Sequence, residues 1–133
     1  MKNKEAQVGL DDLKAAARAE QWDVVDENLP ALAKEKMVAD WAVGEGVNEE
    51  DSNIRDLAVS ITEKSRQPLT EEQEEKLRSL MSGDPNQFVQ FRAAFALFNR
   101  GDRSEEVIAK IQEAARDEDV EETAEDYLLQ LDK

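Results

Sequence analysis

The chain contains no cysteine and no histidine. Without cysteine there is no disulfide framework, no thiolate metal site and no cysteine nucleophile. Without histidine the imidazole ligands and the commonest general base are missing as well. Glycine and proline are scarce, at 5 and 3 of 133 residues. No apolar run approaches the ~18 residues that read as a membrane span. The segment from Met1 to Gly9 begins basic but holds no apolar stretch, so a signal peptide is not expected and the cytoplasm is the expected compartment. Apolar bulk is thin too, with 12 Leu, 4 Ile, 10 Val and 4 Phe, only just above the share found in charged chains that stay disordered. A single domain of this size must build its core economically, and the 17 alanines suit close helix contacts.

Acid is plentiful. Asp and Glu number 32 against 17 Lys and Arg, a net charge of −15. A field of that sign repels phosphate, so nucleic acid is not an expected partner, and without a spanning run neither is a membrane. Residues 1–66 hold 9 bases and 15 acids, and residues 67–133 hold 8 and 17. Seven of the ten residues 117–126 are acids, with no base among them. Two readings fit this patch: a landing site for a basic partner, built on Glu121, Glu122, Glu125 and Asp126, or a solvated helix face.

Helical signals dominate. The pattern predicts a helix over 10–20 with Leu10, Leu13 and Ala17 as its stripe, then a short segment through Trp22, Val25 and Leu29. Pro30 suits the first turn of a third helix over 31–43, whose inner side would hold Ala33, Met37 and Trp41, with Gly44 and Gly46 ending it. Ser52 or Asn53 can cap 54–64, and residues 65–70 read as a linker. Thr70 and Gln73 form a capping-box pair opening 71–81, with Leu77, Leu80 and Met81 on one face. Residues 83–86 are a turn. Helices over 88–99, 105–116 (capped by Ser104) and 120–131 complete seven or eight in all.

A repeat runs through the second half. Asp51-x-x-Ile54-x-x-x-Ala58 recurs as Asn86-x-x-Val89-x-x-x-Ala93 and as Asp117-x-x-Val120-x-x-x-Ala124. The intervals of 35 and 31 residues are those of helical-hairpin repeats. Physically, Asp or Asn caps a second helix, while the branched residue and the alanine pack it on the first. On a helical wheel Val120, Ala124, Tyr127, Leu128 and Leu131 share a stripe that largely excludes the acids of the last segment. Over 88–99, Val89, Ala93, Ala96 and Leu97 form one apolar face and Phe91, Ala94, Phe95 and Phe98 another. Only Arg92 and Asn99 fall in the polar wedge between them, as in a helix buried from two sides.

The stretch Arg92-Ala-Ala-Phe-Ala-Leu97, followed by Gly101-Asp102 and then Ile108 and Ile111, resembles the HEAT-like repeats of the phycobilisome-lyase type. Asp51-Ser-Asn-Ile-Arg55-Asp-Leu-Ala58 is similar to the same family's D-x-x-V-R-x-x-A element. The resemblance covers residue 36 onward and is weaker over 10–33. It implies an all-α fold, a short right-handed α-solenoid of about four hairpins (10–33, 34–66, 70–101 and 104–133) behind a tail of residues 1–9. The second helices would line one face. It also implies that Arg92 bonds loop carbonyls or an acid such as Asp84.

For function the resemblance implies a surface that binds proteins, since one fold hosts many tasks. The repeat and the charge open one possibility, and the resemblance alone implies a second. One is a non-catalytic interaction module or scaffold for a basic protein, with the acids of residues 121–126, Arg92 and Asn99 as candidate contacts. The alternative is an accessory or lyase-like subunit acting on a tetrapyrrole or another cofactor-bearing protein. The acid runs at 49–51, 71–75 and 117–119 match no calcium loop, and no spacing pairs two carboxylates for acid–base work. No enzyme activity, metal or cofactor is therefore expected. Phe91, Phe95 and Phe98 are read as packing between repeats, with an aromatic binding face or ligand pocket as the alternative, and Trp22 and Trp41 as anchors of the N-terminal layers, with a partner interface as the alternative.

Overall fold

A computed structural model describes residues 8–132, which form eight α-helices, two 3-10 turns and no strand. The helices are α1 (Leu10–Arg18), α2 (Trp22–Leu32), α3 (Lys36–Gly44), α4 (Ser52–Lys64), α5 (Glu71–Gly83), α6 (Gln87–Asn99), α7 (Glu105–Ala114) and α8 (Glu121–Leu129). The 3-10 turns are Gly46–Asn48 and Gln130–Asp132. Most of the expected tail, residues 1–9, lies outside the described residues, as does Lys133.

Local chemistry accounts for the boundaries. Thr70 accepts from the Gln73 N–H while the Gln73 side chain accepts from the Thr70 N–H, closing the capping box of α5. Ser104 accepts from the Val107 N–H at 3.4 Å at the start of α7. The three repeat residues make one and the same bond. Asp51 accepts from the Asn53 N–H at 2.8 Å, Asn86 from the Phe88 N–H at 2.8 Å and Asp117 from the Asp119 N–H at 2.9 Å. Asp51 and Asn86 thereby cap α4 and α6. After Asp117 the chain makes a further turn, so α8 starts one residue past Val120.

Successive helices pair: α1 with α2, α3 with α4, α5 with α6, and α7 with α8. The second members adjoin one another in turn, α2 against α4, α4 against α6 and α6 against α8. The architecture is all-α and solenoid-like. The repeat residues Ile54, Ala58, Val89, Ala93, Val120 and Ala124 are all buried at these contacts. Central α6 touches α4, α5, α7 and α8, which is why it is apolar on two faces. Phe91, Phe95 and Phe98 are enclosed within it, each contributing roughly 2 kcal/mol by burial.

Polar ties join one hairpin to the next. Asn86 donates to Ser52 Oγ at 3.1 Å, and Gln87 donates to Asp117 Oδ2 at 3.0 Å. Arg100 donates to the carbonyls of Ser65 and Gln67, both at 3.1 Å, fixing the linker before α5.

Three expectations need correction. Helix α2 runs through Pro30 to Leu32, and a break at residues 33–35 resets the helical phase. The buried residues of α3 are therefore Val38, Ala39 and Ala42, while Met37 is 84% exposed and Trp41 half-buried. Gly46 does not end a helix. Its backbone lies so close to α4 that an added Cβ would be 2.5 Å from the Ala58 Cβ. Leu131 leaves the apolar stripe, because the chain tightens into a 3-10 turn after Leu129 and exposes it.

The arginine expectation holds only in part: Arg92 meets an acid, Asp56 at 2.7 Å, but not Asp84. Asp84 is held by Arg55, with Nε to Oδ2 at 2.7 Å and a second guanidinium nitrogen to Oδ1 at 3.2 Å. Arg55 also donates to the carbonyls of Glu49 and Glu50. Arg55 directly follows the repeat Ile54, and its counterpart after Val89 is Gln90, which donates to the Asp84 carbonyl at 2.6 Å. Both side chains reach back six positions to tie down the loop before their own helix. Arg92 stands two residues too far along α6 for this and turns to the opposite face.

Candidate functional site

The second helices converge on a polar groove of about 350 Å³. Helix α2 supplies Asp26, Leu29 and Pro30, α4 supplies Ser60, Glu63 and Lys64, and α6 supplies Arg92. Asp119 and Val120, before α8, and Thr123 in its first turn close the far wall. All four hairpins thus contribute to one concavity.

On α4, Asp56, Ser60 and Glu63 recur at i, i+4 and i+7, a polar stripe on a helix otherwise sunk in apolar neighbours. Arg92 Nε lies 2.7 Å from Asp56 Oδ1, as an ion contact rather than an aligned hydrogen bond. Ser60 donates to the same oxygen at 3.3 Å. Burial pushes the Asp56 carboxyl above the usual carboxylate range. Arg92 and Ser60 pull it back, and the charge of Asp26 adds to the rise.

The Glu63 carboxylate accepts the phenolic O–H of Tyr127 at 2.6 Å, and its main-chain carbonyl accepts from Asn99 at 2.8 Å. Tyr127 is stacked on Phe95, centroids 5.2 Å apart, and meets the edge of Phe98. Burial, followed by the charge and hydrogen bond of Glu63, pushes the phenol far above its ordinary value. Both floor acids are therefore held in place. Asp26 and Asp119 are exposed at the rim. Three carboxylates (Asp26, Glu63 and Asp119) and two cations (Lys64 and Arg92) line the groove, with the buried Asp56 against Arg92, so it remains acidic overall.

The candidate contact residues divide. Arg92 lies in the groove, and Asn99 supports it from the exposed end of α6 through Glu63. Glu121, Glu122, Glu125 and Asp126 are all exposed. On a helix, however, Glu121 and Glu125 stand roughly 160° from Thr123, whereas Asp126 stands roughly 60° away. The rim is therefore continued by Asp126, and Glu121 and Glu125 face elsewhere. Sequence reasoning missed Asp26, Asp56 and Glu63, while Asp119 belongs to the acidic patch 117–126 without being one of its named contacts. The one available signal was the polar stripe on α4.

Among the described residues no group of acids is arranged to hold a metal ion, and no helix is long and apolar enough to cross a membrane. Compared with family models, curated proteins and solved structures, the chain matches none.

Proposed function

We propose that this protein is a non-catalytic, HEAT-like interaction module that binds a basic segment of a partner protein in the groove of its second helices. The observation that carries the reading is the convergence of carboxylates from the first, second and fourth hairpins on one concavity, beside Arg92 of the third. Their supports are already in place, with Tyr127 on Glu63 and Arg92 on Asp56, so little ordering remains to oppose binding. The exposed Asp26 and Asp119 are set to meet Lys or Arg of the partner, and the net charge of −15 steers such a partner toward it.

The test compares capture from the host's own lysate by the tagged wild-type chain and by an Asp26→Lys/Asp119→Lys variant, at low and high salt, with quantitative mass spectrometry. A protein retained stoichiometrically by the wild type, released by salt and lost from the variant supports the reading. Retention that is equal on both baits, or no retention by either, contradicts it.

A further inference from the structure

We propose that the chain associates head to tail with a second copy of itself, the α8 end of one molecule entering an apolar groove at the α1–α3 end of the next. Four large hydrophobic residues are exposed among the described residues: Val24, Met37, Leu129 and Leu131. All belong to the first three helices or to the last helix and the turn after it, and none to the stretch between. In a stacked-hairpin fold each interior layer covers its neighbour, whereas an outermost layer stays soluble by presenting a polar face. Neither end of this stack does so completely.

The two ends differ in shape and charge. At the first, Val8, Leu10, Leu32, Met37, Val38 and Trp41 line a groove of about 810 Å³. Lys34 and Glu35 stand at its mouth, and Lys14 lies with Nζ 5.2 Å from the centroid of the Trp41 ring. At the other end Leu129 projects, 61% exposed. Glu122, Glu125 and Asp126 precede it by seven, four and three positions, so all lie within roughly 60° of it on α8. Residues 117–131 contain no base.

Packing like ends together would face groove to groove with no knob to fill it, or knob to knob with acids against acids. Packing unlike ends sets the Leu129 knob into the groove and brings its flanking acids to Lys14 and Lys34. Such an interface is heterologous, so each added copy offers a fresh groove and a fresh knob. This use of Glu122 and Glu125 is separate from the acidic groove, from which Glu125 faces away.

Sedimentation velocity on the purified chain, from micromolar to millimolar concentration, tests the proposal. The expected result is a weight-average mass that keeps rising past the dimer. Met37→Glu and Leu129→Glu each alter one exposed side chain, so both variants fold and each alone stays monomeric. Mixed in equal amounts they form a dimer and nothing larger, because one retains the knob and the other the groove. A monomeric wild type at every concentration overturns the proposal. Association that survives Leu129→Glu, or a mixture that stays monomeric, overturns it equally.

Discussion

Tyr127 donates its phenolic O–H to Glu63 Oε2 at 2.6 Å, joining α8 to α4 across 64 positions of sequence. This bond locks the last hairpin onto the second and fixes one acid of the groove floor. The chain has a single tyrosine, so its ionisation can be followed by tyrosinate absorbance without overlap. In the unfolded chain the phenol ionises near the ordinary value of about 10, whereas in the folded protein it is raised far above it. Folded stability from this group is therefore fully present below pH ~10 and declines as pH climbs past it. Tyrosinate should appear only together with alkaline loss of helical circular dichroism. Tyr127→Phe should cost about 1–3 kcal/mol at neutral pH by leaving Glu63 without its donor, and should flatten the alkaline decline. Free titration of the native tyrosine near its ordinary value would contradict this.

Arg55 and Arg92 each meet an acid, but their removal should differ. The side chains of Arg55 and Asp84 are 13% and 2% exposed, those of Arg92 and Asp56 30% and 10%. Arg55→Ala should cost roughly 3 kcal/mol in denaturant unfolding, since it strands a buried carboxylate and frees two loop carbonyls. Arg92→Ala should cost less. Its deficit should shrink as pH falls from neutral, because Asp56, already raised by burial, then takes up a proton in the folded state before the unfolded one does. Equal costs at neutral pH would contradict the assignment of Arg55 as the structural arginine.

Two helices end in the same left-handed closure with different residues. After α6, Gly101 has φ +101, with Asp102 N–H to Leu97 O at 3.1 Å. After α1, Glu20 holds φ +60, with Gln21 N–H to Ala16 O at 2.8 Å. A side chain in that region costs about 1 kcal/mol. Glu20→Gly should therefore raise the unfolding midpoint and Gly101→Ala should lower it. The same sign for both would contradict the closure geometry.

At Gly46 the difficulty is space rather than torsion. An added methyl would meet the Ala58 Cβ at 2.5 Å and the Trp41 ring at 2.9 Å. Gly46→Ala should cost on the order of 1–3 kcal/mol by overpacking. Ala58→Gly in the same chain should recover part of it, which a double-mutant cycle would measure.

The sequence was most legible where structure is local. Thr70 and Gln73, Asn86, and Ser104 announce their helices within three or four residues, so the limits of α5, α6 and the start of α7 could be read directly. The apolar faces of α6 were plain for the same reason. Register failed at Pro30, because the break that resets the phase lies at residues 33–35, which carry no strong helix-stopping residue. The arginines were exchanged because choosing between Arg55 and Arg92 depends on which loop folds back beneath each, a tertiary matter. The groove was least legible. Asp26, Asp56, Glu63 and Asp119 come from distant segments and share no motif, and the dense acids at 121–126 drew attention to a face that mostly turns away.

The most direct measurement is a titration of the isotopically labelled protein with a Lys- and Arg-rich peptide, followed by amide chemical shifts at low salt and again at high salt. The account predicts shifts clustered at Asp26, Ser60, Glu63, Arg92 and Thr123, weakened by salt and by Asp26→Lys/Asp119→Lys. Shifts confined to Glu121 and Glu125, or none at any residue, would contradict the groove as the binding surface.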